Sequence, residues 1–360
     1  MSRKLPEKKK YLDIWTARIT SEDELTRTGL DRYTEQKLKD IIEYTYKNSI
    51  FYREAFGNSE VFPEILSLEG KSFMESFAKL PFTSSDDLRE RGMDFLCTRP
   101  GDISRIVTLD TGGTTGKPKR IYFTYDDQQL TVDYFANGMQ LIVDDSDCVM
   151  ILMPANIPGS IGRLLAEGLQ RIGVRVVEYG LPGFFPGPDG RCDDGEVHEI
   201  IDIMKREGVT SVVALPTHMR AVAEAAEGSI SLRSMLLSAE YIPQEDVRLF
   251  EESFGCRVYE HYGMTEMGLG CAVSCGQGDG YHIREGDLYI EITDPETGRV
   301  ISDDTPGEVV FTTLTRKGMP FIRYRTGDIS RWITEPCACG SVLKRLAKVN
   351  DRNEVKGYLR

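Results

Sequence analysis

The sequence contains no run approaching the ~20 apolar residues that a membrane-spanning helix requires. Residues 1–10 are basic and polar, and no apolar block follows them, so they do not read as a signal peptide. Both absences point to the cytoplasm. Positive charge is in deficit: 44 Lys and Arg against 57 Asp and Glu leave a net charge of −13. A surface of that sign argues against nucleic acid or an anionic membrane as the main partner. Cysteine is sparse, with eight in 360 residues, too few for a disulfide scaffold. There is no internal repeat and no low-complexity tract. What remains is long enough to bury a core in one large domain or two ordinary ones.

Residues 30–56 place Leu38, Ile41, Ile42, Tyr44 and Tyr46 at rough helical spacing and predict a helix. Residues 80–88 read as a loop in which Ser or Asp caps a short helix. From residue 105 the pattern becomes strand, Gly/Thr loop, helix. Strands are expected at 105–109, 148–153, 174–177, 209–215 and 235–238, and helices at 159–171, 196–207 and 219–226. That alternation implies a mainly parallel sheet with helices on its faces. Beyond residue 280, strands at 288–292, 307–313 and 321–324 are broken by turns such as Asp-Pro-Glu-Thr-Gly. The expected class is α/β: layered, mainly parallel sheets with flanking helices plus a small antiparallel β-barrel subdomain. The expected division is a helical region over 1–104, an α/β core over 105–280, a barrel-like subdomain over 281–346 and a charged tail over 347–360.

The segment Thr111, Gly112, Gly113, Thr114, Thr115, Gly116, Lys117, Pro118, Lys119, Arg120 is the strongest chemical signal. A Gly-rich loop offers backbone N–H groups to phosphate oxygens, and threonine hydroxyls and lysines add donors and charge. The spacing is not that of a Walker A loop.

Further motifs follow in order: Ser238-Ala239-Glu240, then His261-Tyr262-Gly263-Met264-Thr265-Glu266, then a Met319 to Asp328 stretch with Tyr-Arg-Thr-Gly-Asp. With these the chain resembles the adenylate-forming superfamily of acyl-CoA synthetases, adenylation domains and luciferases, and within it the phenylacetate-CoA ligase-like proteins. The resemblance implies the large N-terminal domain of that fold and ATP-dependent activation of a carboxylic acid, aryl or otherwise apolar, as an acyl-adenylate. It implies that residues 111–117 hold phosphates, that Ser238, Ala239, Glu240, Tyr262, Gly263 and Met264 surround the nucleotide, and that Asp328 accepts from the ribose hydroxyls. Lys119, Thr265 and Glu266 become the catalytic set, with Glu266 holding Mg²⁺ near the phosphates. Lys348 stands where the family has a hinge arginine. Residues 153–159, 215–217 and Ser238 are expected to line the acid pocket.

Cys275, His282, Cys337 and Cys339 suit a closed tetrahedral Cys₃His zinc site, structural rather than catalytic. Similar elements occur in part of the same group; Cys271 is an alternative ligand. Cys192 and His198 read as ordinary loop and helix residues. The sequence stops shortly after the hinge-like stretch at 347–353, so the family's small C-terminal domain is expected to be absent. The acceptor then stays open: CoA, or a carrier protein or other thiol. Partners in view are a small carboxylic acid, a separate protein supplying the small domain and a second copy of the chain in a homodimer. A non-catalytic nucleotide or acyl-adenylate binding protein, and an adenylyl transferase acting on a cofactor, are the competing functions.

Overall fold

The computed structural model describes residues 11–62, 64–109, 117–155, 157–179 and 192–349. The first part is helical: Tyr11–Thr20 (α1), Arg27–Asn48 (α2), Ile50–Gly57 (α3), Gly70–Phe77 (α4) and Ser85–Arg91 (α5). The single helix expected over 30–56 is therefore two. Ser49 is extended, with φ −98° and ψ 134°, and its Oγ accepts from the Tyr52 N–H, so one residue closes α2 and caps α3. Ser84 caps α5 in a reciprocal box with Asp87, as its sequence suggests.

Ile103–Leu109 (β1) and Lys119–Thr124 (β2) pair antiparallel, with Leu109 opposite Lys119. The Gly/Thr segment thus joins two strands, not a strand and a helix. Residues 119–124 are rich in aromatic and β-branched side chains and bury Ile121, Tyr122 and Phe123, which favours a strand. The helix comes later, at Tyr125–Met139 (α6).

The alternating core follows: Cys148–Ile151 (β3), Ile161–Arg171 (α7), Arg175–Glu178 (β4), Asp194–Glu207 (α8), Ser211–Ala214 (β5), Pro216–Ala226 (α9), Ser234–Leu237 (β6), Gln244–Phe254 (α10) and Arg257–Tyr262 (β7). These strands run parallel in the order β7-β6-β5-β3-β4. Every residue of β3, β5 and β6 is buried because helices cover both faces. Alternation divides them: Met150, Val212 and Met235 pack toward α8, α9 and α10, while Val149, Ile151, Val213 and Leu236 pack toward α6 and α7.

The remaining strands are Ala272–Val273 (β8), Tyr281–Ile283 (β9), Leu288–Thr293 (β10), Val300–Ile301 (β11), Gly307–Thr313 (β12), Tyr324–Ser330 (β13), Trp332–Ile333 (β14) and Arg345–Leu346 (β15). The antiparallel unit expected after residue 280 takes the form of a four-stranded sheet, β11-β10-β12-β13. Meanwhile β8, β9, β15 and β14 extend the parallel sheet antiparallel to nine strands, so the expected boundary at 281 falls inside that sheet. The strand expected at 321–324 starts only at Tyr324, because Arg323 has φ +48°, a left-handed conformation that interrupts an extended chain.

Candidate functional site

In open α/β sheets, ligands bind outside the carboxyl ends of the parallel strands. Met153 follows β3, Ser238 follows β6 and Tyr262 ends β7, so these expected site residues share one edge of the sheet. The phosphate-loop residues Thr111, Gly112, Gly113, Thr114, Thr115 and Gly116 lie outside the described residues. Lys117 is exposed just beyond them.

Lys119, the first residue of β2, turns its Nζ onto the Glu266 carboxylate in an ion pair and sits 3.4 Å from Ser85 Oγ. Glu266 lies in the short turn Thr265–Met267 and is only 1% exposed. Its Oε1 also accepts from the Tyr324 phenol at 3.0 Å, and its backbone carbonyl accepts from Arg316 at 2.6 Å. Four residues along β13, Asp328 accepts from the Tyr262 hydroxyl at 2.9 Å. Burial, with Asp328 second, holds the Tyr262 phenol well above its ordinary range, so it stays a donor. A polar line thus runs from Lys119 through Glu266 to Tyr324, and farther along the same strand Asp328 meets Tyr262, so that three separate segments of sequence are joined.

The loop around this line is tightly folded. A Cβ on Gly263 would lie 2.8 Å from Gly270 Cα, which explains glycine at that position. Ala239 has φ +72°, a conformation that costs a non-glycine residue of order 1 kcal/mol. Glu240 follows it and accepts from Thr217 Oγ1 at 2.6 Å and Thr217 N at 3.2 Å, at the start of α9. Lys348 reaches Glu260 at 2.8 Å, on the same face of β7 as Tyr262 by strand alternation. At the far end of β2, Asp127 closes the reciprocal cap of α6 with Thr124 and also accepts from Lys317 N at 3.0 Å and Gly318 N at 3.1 Å.

Tyr324, Arg316 and Ser85 carried no role in the sequence reading. Tyr324 stands inside the Met319 to Asp328 motif, so a signal existed there; the contacts of Ser85 and Arg316 depend on the fold alone.

Two of the residues expected to line the acid pocket, Met153 and Ser238, border one cavity. It is apolar, of about 40 Å³, and lies between α6, α7 and the sheet. Its wall also includes His261, from the motif that ends in Glu266, and Tyr134, Phe135, Met139 and Leu165, which the sequence did not single out. Ile157 is 55% exposed, and neither it nor the 215–217 turn lines the cavity.

Cys275, His282, Cys337 and Cys339 converge, with one ligand atom from each within 4.8 Å of all the others. Cys275 Sγ and Cys337 Sγ are 3.5 Å apart, and Cys339 Sγ is 3.3 Å from His282 Nε2. The Ser341 N–H points at Cys339 Sγ from 3.5 Å, and the Gly340 N–H bonds the Cys337 carbonyl, so the loop folds around its sulfurs. Hydrogen bonding from Cys339 lowers the Cys275 thiol pKa, whereas the same bond is the main cause that pushes Cys339 up to about 11. Cys271, the alternative ligand, is outside this group. It is fully buried among apolar side chains, which push it up to about 12. His198 bonds Asp194 O within α8, as an ordinary helical residue does.

A sequence profile described as AMP-binding enzyme matches residues 33–314. The chain belongs to the AMP-binding enzyme family. A phenylacetate-coenzyme A ligase from Aromatoleum evansii is 30% identical over 353 residues, covering 95% of this chain and 73% of that protein. One from Thermus thermophilus is 28% identical over 92% of this chain and 72% of its own length. Among solved structures, an open conformation of 2-hydroxyisobutyryl-CoA ligase superposes with a TM-score of 0.76 at 21% identity, over 90% of this chain and 75% of that one. That likeness shows the fold: the chain has the architecture of an adenylate-forming ligase, and it is phenylacetate-CoA ligase-like in sequence. Among the described residues, no helix is long and apolar enough to cross a membrane.

Proposed function

We propose that this family member uses ATP to activate a carboxylic acid as an acyl-adenylate and then passes the acyl group to coenzyme A. The observation that carries this reading is the line Lys119–Glu266–Tyr324 with Asp328–Tyr262, which links the exit of the phosphate loop to the ligand edge of the parallel sheet. In the first step a carboxylate oxygen attacks the α-phosphorus, and the bond to the departing pyrophosphate breaks. Lys119, Thr265 and the loop donors of residues 111–117 stabilise the charge on the phosphoryl oxygens by position. Ser238, Ala239, Glu240, Gly263 and Met264 border the nucleotide, with the Thr217–Glu240 bond fixing that loop. Asp328, braced by Tyr262, receives the ribose hydroxyls, and Lys348 steadies this edge through Glu260. In the second step a thiol attacks the acyl carbonyl and AMP leaves.

Glu266 fits a magnesium site, being a buried oxygen donor paired with Lys119, and a cation held there would neutralise phosphate charge. With nucleotide and cation bound, Lys119 would be free to exchange its carboxylate partner for phosphate. The Cys275–His282–Cys337–Cys339 group fits zinc in donor type, number and spacing, and its place between β8, β9 and the loop before β15 makes the ion structural. The apolar lining of the cavity is what supports an aryl or otherwise apolar acid over a charged one.

Acid-dependent exchange of labelled pyrophosphate into ATP, across a panel of carboxylic acids with and without CoA, tests the reading. Exchange together with a CoA thioester is expected. Exchange without thioester would move the acceptor to a carrier or protein thiol. ATP binding without exchange for any acid would leave a non-catalytic binding protein.

A further inference from the structure

His261 and Ser238 stand where the nucleotide edge meets the acid cavity. Ser238 directly follows β6, and His261 is the penultimate residue of β7, beside Tyr262. Ser238 Oγ and His261 Nδ1 are 2.8 Å apart, so the serine fixes the ring. Both residues line the apolar cavity. The other ring nitrogen, His261 Nε2, is buried and has no hydrogen-bond partner among the described residues, and the Tyr134 hydroxyl on the same wall is in the same position. An orphaned buried polar atom costs about 1–3 kcal/mol, so a ligand that satisfies it gains accordingly.

The chemistry of that ligand is constrained. Burial, and second the Arg284 charge, hold His261 at a pKa of about 4, so the imidazole is neutral near pH 7. If the serine donates to Nδ1, Nε2 carries the proton and donates; if Nδ1 donates to the serine, Nε2 accepts. A hydroxyl satisfies either arrangement. An ammonium can only donate, a second carboxylate can only accept, and either would bring a charge into an apolar cavity. The carboxyl group must lie on the phosphate side, and the apolar remainder in the cavity. The hydroxyl that meets His261 at the boundary is therefore close to the carboxyl. Met139 and Met153 on the wall are unbranched and adaptable, and suit apolar bodies of differing shape.

We propose that His261, oriented by Ser238, selects acids that carry a hydroxyl within one or two carbons of the carboxyl group and an otherwise apolar body. This rests on the adenylation reading above.

The test compares matched acids in the pyrophosphate exchange assay: mandelate against phenylacetate, and salicylate against benzoate. One orphaned group is worth a preference of roughly 5- to 150-fold in kcat/KM for the hydroxylated member of at least one pair. His261→Leu is expected to bring that ratio close to one. His261→Asn, which restores an amide donor and acceptor, is expected to recover part of it. A purely structural role would change rates for both members alike and leave the ratio standing. Equal rates within both pairs, or an unchanged ratio in His261→Leu, would overturn the inference while adenylation stands. Failure of every acid to support exchange would overturn the adenylation reading itself, and the inference with it.

Discussion

Replacing Lys119 by Met removes the cation from a carboxylate that is 1% exposed, while the lysine side chain itself is 13% exposed. Breaking a buried pair by deleting one member costs about 3–5 kcal/mol, because the remaining charge stays desolvated. Glu266 keeps the Tyr324 hydrogen bond at 3.0 Å, which points to the lower end, about 3 kcal/mol. With an unfolding entropy of roughly 2.1 cal/mol/K per residue, a chain of this length loses about 4 °C of Tm for that amount. Urea unfolding and scanning calorimetry of Lys119→Met, Glu266→Gln and the double variant measure it. The double variant should be more stable than the sum of the single losses implies by at least ~1 kcal/mol, since Gln has no charge to orphan. A Lys119→Met loss below ~1 kcal/mol, or additivity within ~0.5 kcal/mol, would refute the reasoning that these two groups are coupled. In the exchange assay the same variant should lose most of its turnover, because Lys119 is also the proposed phosphate partner.

Elemental analysis of protein purified without added zinc should give one zinc per chain, reduced in Cys337→Ser with a lower Tm; metal-free wild-type protein would defeat the assignment. Ser84→Ala should cost about 1 kcal/mol of stability by urea unfolding, through loss of the α5 cap. His261 has a folded pKa of about 4, below its ordinary value, so the unfolded chain takes up the proton first as pH falls. Its contribution is present at pH 7 and shrinks by about 2 kcal/mol toward pH 5; His261→Phe should flatten that part of a urea-midpoint profile against pH. Gly280→Ala should destabilise severely in thermal melts, because the residue has φ +77° and a Cβ there would lie 2.2 Å from the Leu346 carbonyl oxygen.

The alternating core was legible because β3, β5 and β6 are short, continuous apolar runs, a pattern that two-sided burial imposes. The Lys119 segment and the Tyr-Gly-Met-Thr-Glu turn stood out as motifs in the sequence, and the fold joins them through the Lys119–Glu266 ion pair. Periodicity alone failed at Ser49, where one extended residue separates two helices that share a helical pattern. It failed again at Arg323, whose left-handed backbone delays β13 until Tyr324. The choice between Cys271 and Cys275 lay beyond any spacing rule, since only the pairing of β8 with β9 decides which thiol faces His282. The wall that α6 gives the cavity was equally hidden. That helix mixes Thr131, Val132 and Gly138 with polar residues, and its inward face becomes evident only when it packs on α7 and the sheet.

Asp127 makes one carboxylate serve two distant stretches of chain: the cap that ends the Lys119 strand and the turn at Lys317 and Gly318 that leads into the Tyr324 strand. A Cβ on Gly318 would lie 2.8 Å from that carboxylate. The two stretches are therefore tied together through one side chain. A chimera that imports residues 103–127 from a relative should keep this tie only if the imported segment carries an acid at position 127 and the host keeps Gly318.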